Sequence, residues 1–152
     1  MGLIHVPVTL RSFDRVDAAY EADFRVDTGA ADSMAPTSEL RRIGVVPVGR
    51  MAYELADGSA HEYDFGLARI EFMGEVTAGR VLFGPDGVEP LLGITARESI
   101  GITIDPVTQT LRRLPSIPLK LLGRSGGTLQ TRPNAFAPDL PRPAFSRATS
   151  GT

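Results

Sequence analysis

Cysteine and tryptophan are absent from the 152 residues, and histidine occurs only twice. Without thiols there is no disulfide framework, no thiolate metal site and no cysteine nucleophile. His5 and His61 are isolated, and no carboxylate cluster has ligand spacing. No metal or other cofactor is therefore expected, and each imidazole reads as a strand or surface residue. Nowhere do about eighteen apolar residues run consecutively, as a membrane span requires. Met1 to Leu10 has no basic stretch ahead of an apolar run, so the expectation is a soluble, cytoplasmic protein without a membrane partner. A strong charge of one sign is also lacking, the formal net charge being -2. Five basic residues against Asp139 give +4 from Pro115 onward, which leaves -6 for residues 1 to 114. Neither part is a nucleic-acid footprint.

With 42% apolar residues the chain has material for one ordinary core and one globular domain. Glycine and proline punctuate the first part at short intervals. The runs between them alternate apolar with polar residues, which predicts a mostly antiparallel β domain. Strands are expected at Ile4 to Leu10, Ala22 to Val26, Met51 to Leu55, Tyr63 to Ile70, Val76 to Phe83, Ile102 to Ile104 and Thr110 to Leu114. Two short helices decorate them. Ser38 to Ile43 follows Thr37 as a cap and ends at Gly44, and the Thr95-Ala96-Arg97-Glu98 capping box opens a helix that ends at Gly101. Arg124-Ser125-Gly126-Gly127-Thr128 and the prolines beyond have the composition of a tail. The expected organisation is a domain over residues 1–122 and a disordered Pro/Gly/Ser-rich tail over 123–152.

Chemistry concentrates at Phe24-Arg25-Val26-Asp27-Thr28-Gly29-Ala30, where an acid closes an apolar strand and a small hydroxyl residue and a glycine follow. Taken alone, Asp-Thr-Gly is also good chemistry for an Asx-type turn. Its setting extends further. A polar-tipped hairpin, Met51 to Tyr63, turns at Ala56-Asp57-Gly58-Ser59, where Asp-Gly is a two-residue turn signal. Pro90-Leu91-Leu92-Gly93 precedes the second helix, and the runs Gly101 to Asp105 and Thr110 to Leu114 follow it.

In this order the segments resemble clan AA aspartic proteases, the retropepsin and pepsin group, over about Ile4 to Leu114. The resemblance implies a mainly β, single-lobe retropepsin-like closed β domain that dimerises into a pepsin-like bilobal enzyme. The motif would be the active-site sequence, the hairpin the flap, and Leu91-Leu92-Gly93 the element behind the catalytic loop. Viral retropepsins usually follow the motif with an acidic pair and the late glycine with arginine. Here Ala31-Asp32 and Gly93-Ile94 stand at those places, so the resemblance does not extend to that salt bridge.

The resemblance implies an aspartic endopeptidase that activates water between two carboxylates. Two acids a few ångströms apart cannot both ionise comfortably, so such a pair shares one proton. The chain holds one Asp-Thr-Gly, because Asp57 and Asp86 precede glycine directly without the hydroxyl residue. A twofold homodimer would supply the second acid. Asp27 would be catalytic, with Thr28, Gly29 and Ala30 supporting it. Ala31, Asp32, Ala56, Asp57, Gly58 and Ser59 would bind an extended peptide by strand-like hydrogen bonds. Other readings have less behind them. An aspartyl-phosphate enzyme needs the strand–helix alternation that this chain lacks, and Gly123 to Gly127 has no following Lys-Ser/Thr of a P-loop. A retropepsin-like dimer that is catalytically weak or inactive, used for peptide binding or assembly, is the alternative to the peptidase.

Overall fold

The computed structural model describes residues 3–117 and 119, and the tail expected over 123–152 lies outside them. Period-two alternation forms the first strand, β1 (His5–Arg11), which buries Val6, Val8 and Leu10 and turns His5 and Pro7 outward. It pairs antiparallel with β2 (Tyr20–Val26), whose Phe24 is fully buried, in the register His5↔Arg25 to Leu10↔Tyr20.

Five further strands complete the main sheet. β3 (Ser33–Pro36) runs parallel to β6 (Glu75–Gly84), and β7 (Leu91–Leu92) lies between β2 and β3. β5 (Ala60–Phe72) pairs antiparallel with β6, and its far end pairs back onto β1 through Leu10↔Ile70. Six strands therefore close on themselves in the order β1-β2-β7-β3-β6-β5 and back to β1. Closure removes the open edges at which a sheet of this size would pair with other chains. β4 (Gly49–Glu54) stands outside the ring, held on β5 alone. β8 (Ile102–Asp105) and β9 (Thr110–Arg113) form a separate hairpin.

The ring encloses Leu10, Phe24, Ile70, Val81 and Leu92, and Leu40 and Ile43 join the same core from the first helix. Each such large side chain contributes roughly 1.5–3 kcal/mol on leaving water. The architecture is the mainly β, single-lobe domain with two short helices that the sequence implied. Among the described residues, no helix is long and apolar enough to cross a membrane.

Three local expectations need correction. Thr37 does not cap α1 (Thr37–Arg42): its hydroxyl donates to the carbonyl of Gly84, and the N–H of Ser38 is met instead by Asp86 Oδ1. Thr95 forms no capping box in α2 (Ile94–Ser99): Gly93 holds the cap position, and the Thr95 hydroxyl, inside the helix, donates to the carbonyl of Ala31. In both helices the cap position falls one or two residues earlier, at Pro36 and Gly93, and the threonine hydroxyl donates to a distant carbonyl. The flap turn is also longer than two residues. Leu55 N–H bonds the Ser59 carbonyl, leaving a three-residue loop, Ala56 to Gly58, with Gly58 at φ 82. That left-handed position is where glycine belongs in a loop of this length.

Candidate active site

Asp27 follows β2 directly, and neighbours on both sides fix the end of that strand. Val26 N–H donates to Ile4 at 2.8 Å, Arg25 N–H to Pro90 at 2.9 Å and Asp27 N–H to Leu92 at 3.3 Å. The chain then turns, and Gly29 N–H donates to Asp27 Oδ1 at 2.8 Å. The loop beyond is fastened to the corner between β7 and α2. Ala30 accepts from Ile94 N–H at 2.9 Å, and Ala31 accepts from both the N–H and the hydroxyl of Thr95. The first N–H groups of a helix have no partner within it. In α2 two of them are satisfied by the loop that carries Asp27.

Two small residues make this junction possible. A Cβ at Gly93 would lie 2.5 Å from the backbone carbon of Asp32 and 2.7 Å from the Ala31 oxygen. Gly93 N–H in turn donates to the buried hydroxyl of Ser33 at 3.0 Å. The apolar-apolar-Gly element thus packs directly behind the Asp27 loop.

The Asp27 side chain is 32% exposed and faces charge on one side. Arg25 Nη2 lies 3.5 Å from Asp27 Oδ2, Arg25 Nη1 lies 3.3 Å from Glu89 Oε2, and Glu89 Oε1 meets His5 Nε2 at 2.8 Å. Cross-strand pairing of His5 with Arg25 sets up this chain of groups. Ion pairs this open contribute at most about 1 kcal/mol of stability. The position of Arg25 against a candidate catalytic acid matters more than its energy.

A groove of about 450 Å³ runs between the Asp27 loop and the β4–β5 hairpin. Its floor includes Asp27, Gly29, Ala30, Ala31 and Asp32, and Met34, Leu82 and Leu91 add apolar wall. Tyr53, Glu54, Leu55, Ala56 and Tyr63 line it from the hairpin. Tyr53 donates its hydroxyl to Asp32 Oδ2 at 2.6 Å, and its ring meets Tyr63 edge-on with centroids 6.3 Å apart. Burial, followed by the Asp32 hydrogen bond, raises the Tyr53 phenol above its ordinary value, so the hydroxyl stays a donor.

Six of the residues expected at the site, Asp27, Gly29, Ala30, Ala31, Asp32 and Ala56, line this groove together. Thr28 lines a different cavity, of about 540 Å³, that Asp27 also borders along with Arg25, Ile104 and Pro106. Asp57 and Gly58 of the hairpin loop, and Ser59 that closes it, are not among the groove-lining residues. There Asp57 Oδ1 accepts the N–H and the hydroxyl of Ser59, which lowers its carboxyl below the ordinary range.

Sequence reading passed over Ser33, Met34, Leu82 and the charged neighbours of Asp27. The pattern does contain a signal for Ser33: a polar residue opening the short run Ser33-Met34-Ala35-Pro36 is buried because it serves the Gly93 backbone. No comparable signal marks Arg97 of α2. It is 5% exposed, its Nε has no hydrogen-bond partner among the described residues, and burial lowers its pKa from the ordinary value.

No family model matches the chain, and no curated protein matches it. Among solved structures it is similar to the solution structure of simian foamy virus (mac) protease, with a TM-score of 0.44 and 16% identity. The likeness covers 61% of this chain and 90% of that one. The chain itself joins an Asp-Thr-Gly loop at a strand end, an apolar-apolar-Gly strand behind it and a hairpin facing it across a groove. The fold is retropepsin-like in that arrangement.

Proposed function

We propose that this chain is one half of an aspartic endopeptidase, in which two copies bring their Asp27 carboxylates together over an extended peptide. The observation that carries the reading is the placement of Asp27. It is a partly exposed acid with one oxygen fixed by Gly29 N–H, at the floor of a groove roofed by a hairpin. Gly29 adds support. Its φ is not positive, and a Cβ there would meet nothing closer than Asp27 Oδ1 at 3.4 Å. Among the described residues nothing requires glycine at that position, whereas a second loop approaching Asp27 would.

In this reading the two acids share one proton. The ionised one takes a proton from water as the water oxygen attacks the peptide carbon. The protonated one gives its proton to the carbonyl oxygen. Collapse of the tetrahedral species breaks the C–N bond, with a proton passing to the leaving nitrogen. Thr28 and Gly29 hold the acids, and the groove receives the peptide with its backbone extended.

The test joins mass measurement across concentration to cleavage of a peptide pool at acidic and neutral pH, on the protein and on Asp27→Asn. The expected result is a dimer whose cleavage is faster in acid and falls on dilution. The variant keeps its fold and loses at least about a thousandfold in rate, within the range for an essential acid–base group. Full activity of Asp27→Asn, or a strict monomer that cleaves, ends the proposal.

The Arg25 contact favours a second reading. A guanidinium 3.5 Å from Asp27 Oδ2 competes with water for that oxygen, as it would in a dimer that binds peptides without hydrolysing them. A dimer that retains peptides and cleaves none selects this reading.

A further inference from the structure

β4 and the tip of the β4–β5 hairpin stand outside the closed ring, yet they are tied to the Asp27 loop by a side-chain hydrogen bond. Among the described residues, the Tyr53 hydroxyl on Asp32 is the one hydrogen bond joining residues 49–63 to residues 27–36. A phenol donating to a carboxylate at 2.6 Å is of the short, charge-assisted kind. The aim of that hydroxyl is set from the hairpin itself. Tyr53 pairs with His61, and its ring leans at 61° on Tyr63, its diagonal neighbour on β5. The groove stays open while the bond is made, since Tyr53 and Asp32 both line it. The bond is therefore a strut and does not plug the groove.

We infer that Tyr53 is a positioning residue: through Asp32 it fixes the height of the hairpin above Asp27 and holds the roof ready for a peptide. This rests on the proposed function for its consequence but not for the contact itself. A roof already in place spares an incoming peptide the cost of ordering it. Losing the strut should therefore weaken capture more than the chemical step.

Tyr53→Phe is the discriminating variant, because it keeps the ring against Tyr63 and deletes only the hydroxyl. Amide exchange in residues 51–55 and 59–63, measured without peptide, is expected to quicken about tenfold, the effect of one hydrogen bond of this kind. Asp32→Ala should quicken it equally, and the double variant should add nothing, as for two partners in one contact. With peptide, KM of Tyr53→Phe should rise about tenfold while kcat changes less than twofold. Exchange at the wild-type rate in Tyr53→Phe overturns the inference, as does additivity in the double variant or an equal loss in kcat and KM. If wild-type protein cleaves no peptide, the proposed function fails, and the exchange cycle still decides whether Tyr53 sets the hairpin.

Discussion

One strand shows two kinds of stability along its length. From Gly66 to Phe72, β5 alternates between side chains buried in the ring and side chains facing out, and it is paired on both sides, with β6 and in part with β1. From Ala60 to Glu62 every residue is exposed, and this half pairs only with β4, itself exposed along most of its length. The ring half is held by burial, which acts on every residue at once. The hairpin half is held by ladder hydrogen bonds and a few side chains. Segments with few buried apolar contacts open locally at low cost. A roof able to lift over a rigid floor is what a groove for an extended chain needs.

The largest effect should separate those halves by stability alone. Phe24→Ala empties the site of a fully buried aromatic ring, and chemical denaturation should show a loss of about 3–5 kcal/mol. Met51→Ala in the hairpin removes a side chain that is 42% exposed and should fall within about 0.5 kcal/mol of wild type. If the two truncations cost the same, the hairpin belongs to the core and the contrast along β5 is wrong.

Two glycines sharpen the same contrast at intermediate size. Gly93 has no room, because a Cβ there would overlap the backbone of Ala31 and Asp32. Gly93→Ala should cost about 1–3 kcal/mol and shift the amide resonances of Ala30 to Ser33, so that floor and stability change together. Gly58 has space on all sides but a φ of 82. Gly58→Ala should cost no more than about 1–2 kcal/mol through left-handed strain and leave the floor resonances in place. Movement of the floor in Gly58→Ala would show that the roof is mechanically coupled to it beyond Tyr53.

Much of the ring was legible in the sequence, because period-two alternation over Ile4 to Leu10 and Tyr63 to Ile70 is a direct imprint of burial on one face. The Asp27 loop was legible too, as a motif with its landmarks in order. Strand β3 was not. Its four residues, Ser33 to Pro36, include a buried serine and a proline, and they form a strand only because β6 and β7 flank them. The caps of both helices differ from expectation for a related reason: each cap lies ahead of its threonine, at Pro36 and Gly93, and the Thr37 and Thr95 hydroxyls donate to carbonyls far along the chain. The Tyr53–Asp32 bond and the chain from Arg25 through Glu89 to His5 join residues whose separations follow no local period. Local pattern reports which face is buried, and it is silent on which polar tip meets which.

The smallest effect lies at the far end of the hairpin, where acid should loosen the turn before it touches the ring. Asp57 is fully exposed, and its carboxylate accepts both donors of Ser59. The Ser59 hydroxyl first, and then its N–H, hold the group below the ordinary aspartate value of 3.8. A folded-state value below the unfolded one means that the contribution is present above pH 3.8 and is lost as pH falls through the lower, folded value. The Ser59 amide resonance should therefore titrate with a midpoint under 3.8, while Val8 and Val81 in the ring stay fixed over the same interval. Asp57→Asn should abolish that titration and keep much of the turn, because the amide oxygen still accepts from Ser59 N–H. A Ser59 midpoint at or above 3.8, or ring amides that titrate along with it, would mean that the tip does not open independently of the barrel.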